Sequence, residues 1–354
     1  MRILAPERAA RRAAQNGFKK ECFVADKSLQ LIGIGNAIVD VVSRAEDGFI
    51  EKHDIARGGM TLIDADRAHR LYEAMGPGVE ISGGSVANAT AGFAALGGKA
   101  GFIGKVREDQ LGQVFAHDLR SAGVAFSTPF ADGGDPTARC LVLVTPDGQR
   151  SMATYLGATQ NLSEEDIDPD FIAAAEIVYL EGYLWDPPKA KKAFRKAMDA
   201  AKAAGTKVAL TLSDSMCVDR YRDEFRALVD NDIDILFANE AELKSLYETD
   251  DFDDALQTLR PKLEVAAVTR SEKGSVVLRD GEIHVVEAES IDKLVDATGA
   301  GDLYSAGFLY GYVNGYSAKE MGRIAAICAA EIISHYGARP EADLQALVKQ
   351  ALAA

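Results

Sequence analysis

The chain has 354 residues, of which 47% are apolar and 26% are charged, which is the composition of an ordinary soluble globular protein, and it is long enough for one large α/β domain plus a small accessory element. Its formal net charge of -15 argues against nucleic acid and anionic membrane surfaces as partners, and no apolar run reaches the length of a membrane span. The four cysteines form no CxxC pair and the five histidines form no HxxxH or HExxH motif, which argues against a zinc site and predicts a reduced, cytoplasmic protein.

Residues 1–29 differ from the rest of the chain. Six Lys and Arg side chains within residues 1–20 accompany a single acid, Glu7. The same twenty residues contain no serine and no apolar core of the secretory type, which argues against a transit or signal peptide. We therefore predict a disordered or loosely helical leader that takes no part in the chemistry.

Order begins at Leu31. The run Leu31–Gly35 predicts a buried strand, and the apolar residues of Asn36–Val42 predict that this strand continues. Asp40 interrupts the apolar segment, and an isolated carboxylate in a core is costly. Asp40 is therefore expected to be either paired or functional.

Two segments predict a small β-sheet that leaves the main domain. Residues 43–64 contain short extended runs broken by glycines and do not fit a helical crossover. Residues 127–159 contain two extended runs joined by Thr145-Pro146-Asp147-Gly148, which has the chemistry of a hairpin turn. Together these segments are expected to form a lid that keeps water from a reaction site.

A glycine pair precedes an alanine-rich helix between the two lid segments. Gly83 and Gly84 let the backbone approach a ligand closely, and Asn88 lies about one turn into the helix. An amide side chain both donates and accepts hydrogen bonds, as a vicinal diol requires. This pattern predicts a polar ligand at the start of the helix.

From Ile167 onward, short apolar strands alternate with amphipathic helices, which is the pattern of right-handed βαβ units. We predict an α/β, doubly wound, mostly parallel sheet with helices on both faces and a small β-sheet lid. Its core comprises residues 30–42, 65–126 and 160–354. Ligands in such a fold bind at the carboxyl ends of the strands.

Three features lie at such strand ends, and the first is the segment Leu212–Ser215. Asn239 and Glu242 begin a helix after a predicted strand, where they fit either a ligand site or a capping box. Thr269 ends the next strand and is followed by a polar turn that contains Gly274.

The sequence DATGAGD, Asp296 to Asp302, precedes the apolar run 303–313. Gly299, Ala300 and Gly301 allow a tight turn whose N–H groups converge at a helix start and bind an anion. Asp302 would direct a carboxylate toward that anion, or else serve only as a helix cap. Backbone dipoles with a positioned base are what phosphoryl transfer to an alcohol requires.

These motifs resemble the signatures of the ribokinase and adenosine kinase family, also called PfkB-type kinases, and are most similar to its adenosine kinase branch. DATGAGD resembles the usual form DTxGAGD, with Ala297 where threonine is commonest. GNAIVD, GGSVAN and NEAE occur in the family's order, and the resemblance covers Leu31 to Gly337. A dinucleotide-binding GxGxxG fingerprint is not completed, since Ile38 stands at its third glycine.

The resemblance implies a role for each matching residue. Asp302 is the implied catalytic base, and Gly299 to Gly301 bind phosphate. Glu242 is implied to bind Mg²⁺, through water, and Asp296 and Thr298 to bind a monovalent cation such as K⁺. The implied substrate-binding residues are Asn36, Ile38, Asp40, Gly83, Gly84 and Asn88. The implied nucleotide-binding residues are Asn239, Thr269 and Gly274.

The implied reaction is transfer of the γ-phosphoryl group of MgATP to the primary hydroxyl of a nucleoside, converting adenosine to AMP. A sugar kinase and a non-catalytic nucleoside or nucleotide sensor of the same fold are the alternatives. The implied partners are ATP and a nucleoside or sugar, with no nucleic acid and no membrane. The chain would be a monomer or a homodimer.

Overall fold

The computed structural model describes residues 27–353, and the predicted leader up to residue 26 lies outside this range. Within residues 27–353, a large sheet has nine strands in the order β14-β13-β12-β11-β10-β9-β1-β5-β6. Its strands are β1 (Leu29–Ile34), β5 (Ala100–Ile103), β6 (Ala125–Phe126), β9 (Ala175–Glu181), β10 (Lys207–Thr211), β11 (Ile235–Asn239), β12 (Val265–Thr269), β13 (Ser275–Arg279) and β14 (Glu282–Val286). Neighbouring strands from β6 to β12 are parallel, and β13 and β14 pair antiparallel at one edge.

Helices cover both faces of this sheet, as the sequence predicted. Among residues 27–353 they are α1 (Asp47–Lys52), α2 (Ala65–Ala74), α3 (Ser85–Ala95), α4 (Gln110–Ser121), α5 (Pro169–Ala173), α6 (Pro188–Ala204), α7 (Ser215–Asn231), α8 (Glu240–Tyr247), α9 (Phe252–Leu259), α10 (Ala300–Val313), α11 (Ala318–Ile332) and α12 (Leu344–Ala353). None of the helices in this part of the chain combines the length and apolar character needed to cross a bilayer.

Two hydrophobic cores follow from the alternation of side chains along the strands. Leu31 and Tyr179 face one core, which includes α3, α10 and α11. Ile32 and Val178 face the other core, which includes α6 and α7. Because successive side chains of a strand point to opposite faces, a strand buried on both faces reads as a continuous apolar run. The parallel sheet therefore explains the apolar runs that identified its strands.

A second sheet has five strands in the order β3-β8-β7-β2-β4. These strands are β2 (Ile38–Arg44), β3 (Met60–Leu62), β4 (Gly78–Gly83), β7 (Ala138–Val144) and β8 (Arg150–Tyr155). The predicted hairpin is confirmed, because β7 and β8 pair antiparallel and the Gly148 N–H donates to the Thr145 carbonyl at 2.8 Å.

Several details of the sequence interpretation are wrong. The first strand does not continue to Val42: β1 ends at Ile34, and β2 belongs to the small sheet. Residues 38–42 and 78–83, assigned to the core, therefore lie in the small sheet. Residues 43–64 contain helix α1 as well as a strand, and Leu29 already belongs to β1 rather than to the leader. The burial patterns differ, since β1 is buried on both faces over Leu31–Ile34 and β2 on one face only, but the apolar residues follow one another closely enough to resemble a single strand.

Candidate active site

Helix α10 begins at a turn that presents open N–H groups. Gly299 is its N-cap residue with φ 78°, and no side chain caps the helix. A Cβ on Gly299 would lie 3.0 Å from the Cβ of Ala338, so both conformation and space favour glycine here. Within residues 27–353, the N–H groups of Gly301 and Asp302 donate to no protein acceptor. The helix start thus offers two donors to an anion.

The carboxylate of Asp302 is held by another helix. One oxygen, Oδ1, accepts from Ser85 Oγ at 2.6 Å, and Oδ2 accepts from Asn88 Nδ2 at 2.9 Å. Both partners lie in the first turn of α3. The two helices pack closely because Gly92 has no side chain: a Cβ there would lie 2.4 Å from Leu303 Cδ1. Asp302 is therefore fixed by long-range contacts, and it is not the helix cap that was the alternative interpretation.

Gly84 sets the start of α3. It has φ 100° as the N-cap residue, and a Cβ would lie 2.1 Å from the carbonyl oxygen of Asn36. This close approach is a structural requirement for glycine in addition to the predicted contact with substrate. Gly83 lies beside Asp40 of the neighbouring strand, since a Cβ there would lie 2.5 Å from Asp40 Oδ2.

Asp40 is the predicted carboxylate without a hydrogen bond. No side chain or backbone group within residues 27–353 donates to it, although Gly83 lies in contact. Burial raises its pKa to about 6, and the nearby cations Arg339 and Arg150 oppose that rise. A half-buried carboxylate with free lone pairs is suited to accept hydrogen bonds from hydroxyl groups.

Arg339 was not identified from the sequence. Its guanidinium donates to Asn88 Oδ1 through one terminal nitrogen and to Ser82 Oγ at 3.0 Å through the other. Burial lowers its pKa to about 10, whereas Asp40 and Asp302 favour the charged form. For Asp302, burial raises the carboxyl pKa, while the bonds from Ser85 and Asn88 and the charge of Arg339 lower it. The net shift of the Asp302 pKa is upward because burial outweighs these contacts, and Arg339 orients Asn88 while it favours the ionised carboxylate.

Asn36 belongs to a buried network rather than to an open surface. Its Nδ2 donates to Glu181 Oε1, and its Oδ1 accepts from Thr159 Oγ1 at 3.1 Å. Glu181 is fully buried at the end of β9 and also accepts from the Val86 N–H at 3.2 Å. Burial raises the pKa of Glu181 to about 7. The sequence did not reveal this carboxylate, although its place at the carboxyl end of a parallel strand was a usable signal.

A cavity of about 210 Å³ lies between the small sheet and the carboxyl ends of β1, β9 and β10. Asn36 and Glu181 contribute polar atoms, and Ser85 brings the wall next to Asp302. The apolar part of the wall includes Ile38, Met60, Leu62, Leu156, Leu184 and Met216. The cavity therefore has a mostly apolar side under the small sheet and a polar end next to Asp302.

The predicted metal residues form a capping box. Asn239 Oδ1 accepts from the Glu242 N–H at 2.8 Å, and Glu242 Oε2 accepts from the Asn239 N–H at 3.0 Å. Glu242 is 5% exposed, and burial raises its pKa to about 7 while the negative charge of Asp214 adds to the rise. No group of three or more metal-ligating side chains occurs in the described part of the chain. One buried carboxylate lacking a cation fits a hydrated Mg²⁺ carried mainly by phosphate groups.

The loop of residues 270–274, which follows β12 and was predicted to contact the nucleotide, is held by contacts within the protein. Thr269 ends β12 and is half-buried, and Gly274 has φ 80° with its Cα close to the carbonyl oxygen of Val286. Arg270 donates to Glu240 Oε2 at 2.8 Å and lies 4.0 Å above the Phe252 ring. Arg270 therefore anchors the loop to α8 and α9.

Asp296 already has a cationic partner. Its Oδ2 lies 2.8 Å from the nearer terminal nitrogen of Arg150 and accepts from the Gly337 N–H at 3.1 Å. Its Oδ1 accepts from the Thr298 N–H at 3.1 Å. The side chain of Asp296 is 5% exposed. These contacts leave little room for the monovalent cation predicted at Asp296 and Thr298.

Comparison with known proteins agrees with this geometry. The model of the pfkB family of carbohydrate kinases matches residues 60–344. The chain belongs to the PfkB family. This PfkB kinase is thus a phosphotransferase with an alcohol group as acceptor, and its ribokinase-like fold confirms the predicted architecture of a large sheet and a second small sheet.

Relatives of this PfkB kinase carry different names. The structure of adenosine kinase from Sinorhizobium meliloti is 50% identical, with a TM-score of 0.85 and coverage of 92% of this chain and all of that one. A probable sugar kinase from Rhizobium etli CFN 42 is 47% identical, with a TM-score of 0.85 and coverage of 92% and 99%. Fructokinase-2 from Solanum lycopersicum is 27% identical over 277 residues, which are 74% of this chain and 84% of that protein.

Proposed function

We propose that this PfkB kinase phosphorylates the 5′-hydroxyl of adenosine with MgATP and yields AMP. The observation that carries the proposal is the position of Asp302. Its carboxylate is bonded to Ser85 and Asn88 beside the cavity, while two N–H groups of its own helix start remain open. A base and an anion site are thus separate but adjacent.

The reaction would proceed in line. The γ-phosphoryl group of ATP lies at the N–H groups of Gly301 and Asp302, which stabilise the charge on its oxygens. The acceptor hydroxyl lies against Asp302, which takes up the proton late in the transfer because a carboxylate is too weak a base to ionise an alcohol beforehand. Ser85 and Asn88 hold the carboxylate in place.

The residues proposed to bind Mg²⁺ and the nucleotide lie at the carboxyl ends of β11 and β12. Mg²⁺ supplies charge neutralisation at the phosphates, and Glu242 with Asn239 would hold its water shell. Thr269 and Gly274 lie at the next strand end and would contact the nucleotide. The loop residues 289–292 and helix α11 line a second cavity of about 870 Å³, which is large enough for the adenosine part of ATP.

The acceptor is argued from the apolar wall of the first cavity. Met60 and Leu62 of the small sheet are 45% and 59% exposed, and Met216 opposite them is 68% exposed. A flat purine would cover these side chains and gain hydrophobic contact, whereas a sugar would place hydroxyl groups against them. Asp40, with no hydrogen bond of its own, is available to the ribose diol. These features favour a nucleoside.

A sugar acceptor is the second candidate, since the Rhizobium etli and tomato relatives are named as sugar kinases. The test is a panel of nucleosides, ribose and fructose offered with MgATP, with the product identified by mass spectrometry. We expect AMP from adenosine at a specificity constant well above that of any sugar. Phosphorylation of a free sugar in preference to adenosine would refute the proposed acceptor, and absence of any product would favour a sensor of the same fold.

A further inference from the structure

The strand β8 of the small sheet brings a buried cation to the turn that precedes the anion site. Arg150, its first residue, has a side chain that is 9% exposed and lies 2.8 Å from Asp296. Its other two guanidinium nitrogens contact no acceptor within residues 27–353. Asp296 is thus its one ionic partner at bonding distance in the described part of the chain.

The coordination of Asp296 is nearly complete. A carboxylate has about four lone-pair sites. The N–H groups of Thr298 and Gly337 use two of them, and the guanidinium of Arg150 lies 2.8 Å from Oδ2 as an ion pair. A K⁺ ion would have to displace the guanidinium or share an oxygen with it, and two positive charges would then lie beside one negative charge. The residues at this position do not fit a further monovalent cation.

We propose that the guanidinium of Arg150 replaces a free monovalent cation beside the anion-binding turn, so that this kinase works without K⁺. The charge is the same, +1, and it neutralises the same carboxylate. Asp296 in turn holds the backbone of Thr298, immediately before Gly299 and the open N–H groups of α10. A cation at Asp296 therefore supports the geometry of the phosphate site.

Because Arg150 belongs to β8, the positive charge beside Asp296 is attached to the small sheet. The guanidinium lies 5.7 Å from the centre of the Tyr336 ring, and Gly148 of the same hairpin approaches the Tyr336 hydroxyl. A dissolved ion reaches Asp296 wherever the hairpin lies, whereas Arg150 reaches it only when the hairpin contacts the segment around Tyr336. The phosphate site is thus complete when the small sheet is seated.

The experiment compares KCl with tetramethylammonium chloride at equal ionic strength, because the second cation is too large for the site. Thermal unfolding is measured without any acceptor, and phosphorylation of adenosine is measured beside it. We expect the wild type to unfold at the same temperature and to react at the same rate in both salts. A saturable rise in wild-type unfolding temperature or rate with K⁺ would overturn the proposal.

The variant Arg150→Met leaves Asp296 without its cation. We expect its activity in tetramethylammonium to fall about tenfold or more, since a buried carboxylate is left uncompensated. K⁺ should then restore much of the activity and raise the unfolding temperature by about 2 °C, because an ion that binds only the folded state stabilises it. Failure of K⁺ to bind this variant would also overturn the proposal.

Two further variants keep the test decisive. Arg57→Met removes the same charge from the connection between α1 and β3, where Arg57 pairs with Asp47 and Asp147 at the surface, and should leave K⁺ without effect. Arg150→Lys retains a cation and should remain independent of K⁺ even if the Met variant does not fold. The inference rests on the kinase assignment only for its kinetic arm. If adenosine is not the acceptor, the rate assay fails while the unfolding assay still decides the role of Arg150.

Discussion

Two helices that start at the same sheet edge each carry an acid in the first turn, buried at Glu242 and half-buried at Asp302, but the two acids are held differently. At α8, Glu242 bonds to the N-cap residue of its own helix and completes a capping box. At α10, Asp302 bonds to Ser85 and Asn88 of a different helix, and the N-cap residue is a glycine without a side-chain bond. Side chains of another helix thus fix the carboxylate of Asp302, whereas Glu242 is fixed by the N-cap residue of its own helix, and the N–H groups of Gly301 and Asp302 stay unpaired within the described residues.

The strongest test of this contrast is Asp302→Asn. The amide keeps the size of the side chain but cannot accept the proton, so we expect turnover to fall by about 10³-fold. Affinities for ATP and adenosine, measured by calorimetry, should change little, because the loss occurs in the transition state. Near-normal turnover in this variant would exclude Asp302 as the base.

Glu181, a buried acid at a strand end, should make the free energy of unfolding depend on pH. Its pKa is raised from 4.5 to about 7 in the folded state, so between these values the folded protein binds a proton that the unfolded chain has released. The free energy of unfolding should therefore fall as pH rises from about 4.5 to 7, by up to about 3 kcal/mol from this group, and level off above.

Glu181→Gln should flatten that pH dependence. Asp40 and Glu242 have raised pKa values as well, so part of the slope should persist. Urea unfolding at several pH values between 4.5 and 8 measures the slopes of the two proteins. Identical slopes would show that Glu181 is ionised in the fold throughout this range.

Gly299→Ala tests the open helix start. The change forces a positive φ on alanine and a contact with Ala338, so we expect a loss of about 1–2 kcal/mol in unfolding free energy and a lower turnover. Gly315, at the other end of α10, has φ 74° with open space around its Cα. Gly315→Ala is thus the matched control, with a similar conformational cost and unchanged turnover. Equal turnover in both variants would contradict a role for the Gly299 turn in phosphate binding.

The smallest effect is expected for Glu242→Gln. Glutamine is also accepted at this position of a capping box, so stability should change by about 0.5 kcal/mol or less. The loss of charge should raise the Mg²⁺ concentration needed for half-maximal rate, with turnover near normal at saturating Mg²⁺. A loss of turnover as large as that of Asp302→Asn, not recovered by Mg²⁺, would contradict the proposal that Glu242 acts only through Mg²⁺.

The parts of the site that lie close together in sequence could be predicted from it. Gly299 to Asp302 form one turn, and Gly84 with Asn88 form another, so local geometry alone indicated their chemistry. The capping box at Asn239 was an open alternative, and the structure confirms it. Short spacing fixes relative position when both residues occupy one helix turn.

The site residues that the sequence analysis missed are placed by contacts between segments far apart in the chain. Arg339, Glu181 and Arg150 have no local pattern that separates them from surface charges, and each reaches the site through a different element. The change of sheet between β1 and β2 was missed for the same reason, because strand pairing depends on partners far along the chain. Ser85 was within the recognised motif, but its bond to Asp302 depends on the packing of α3 against α10.

The place of Arg339 in the chain has a consequence for biosynthesis. Asp40, Glu181 and Asp302 all leave the ribosome before it does. A chain that ends within α11 therefore contains these acidic side chains but lacks the guanidinium that orients Asn88. Phosphotransfer is therefore expected only from a chain that includes this arginine.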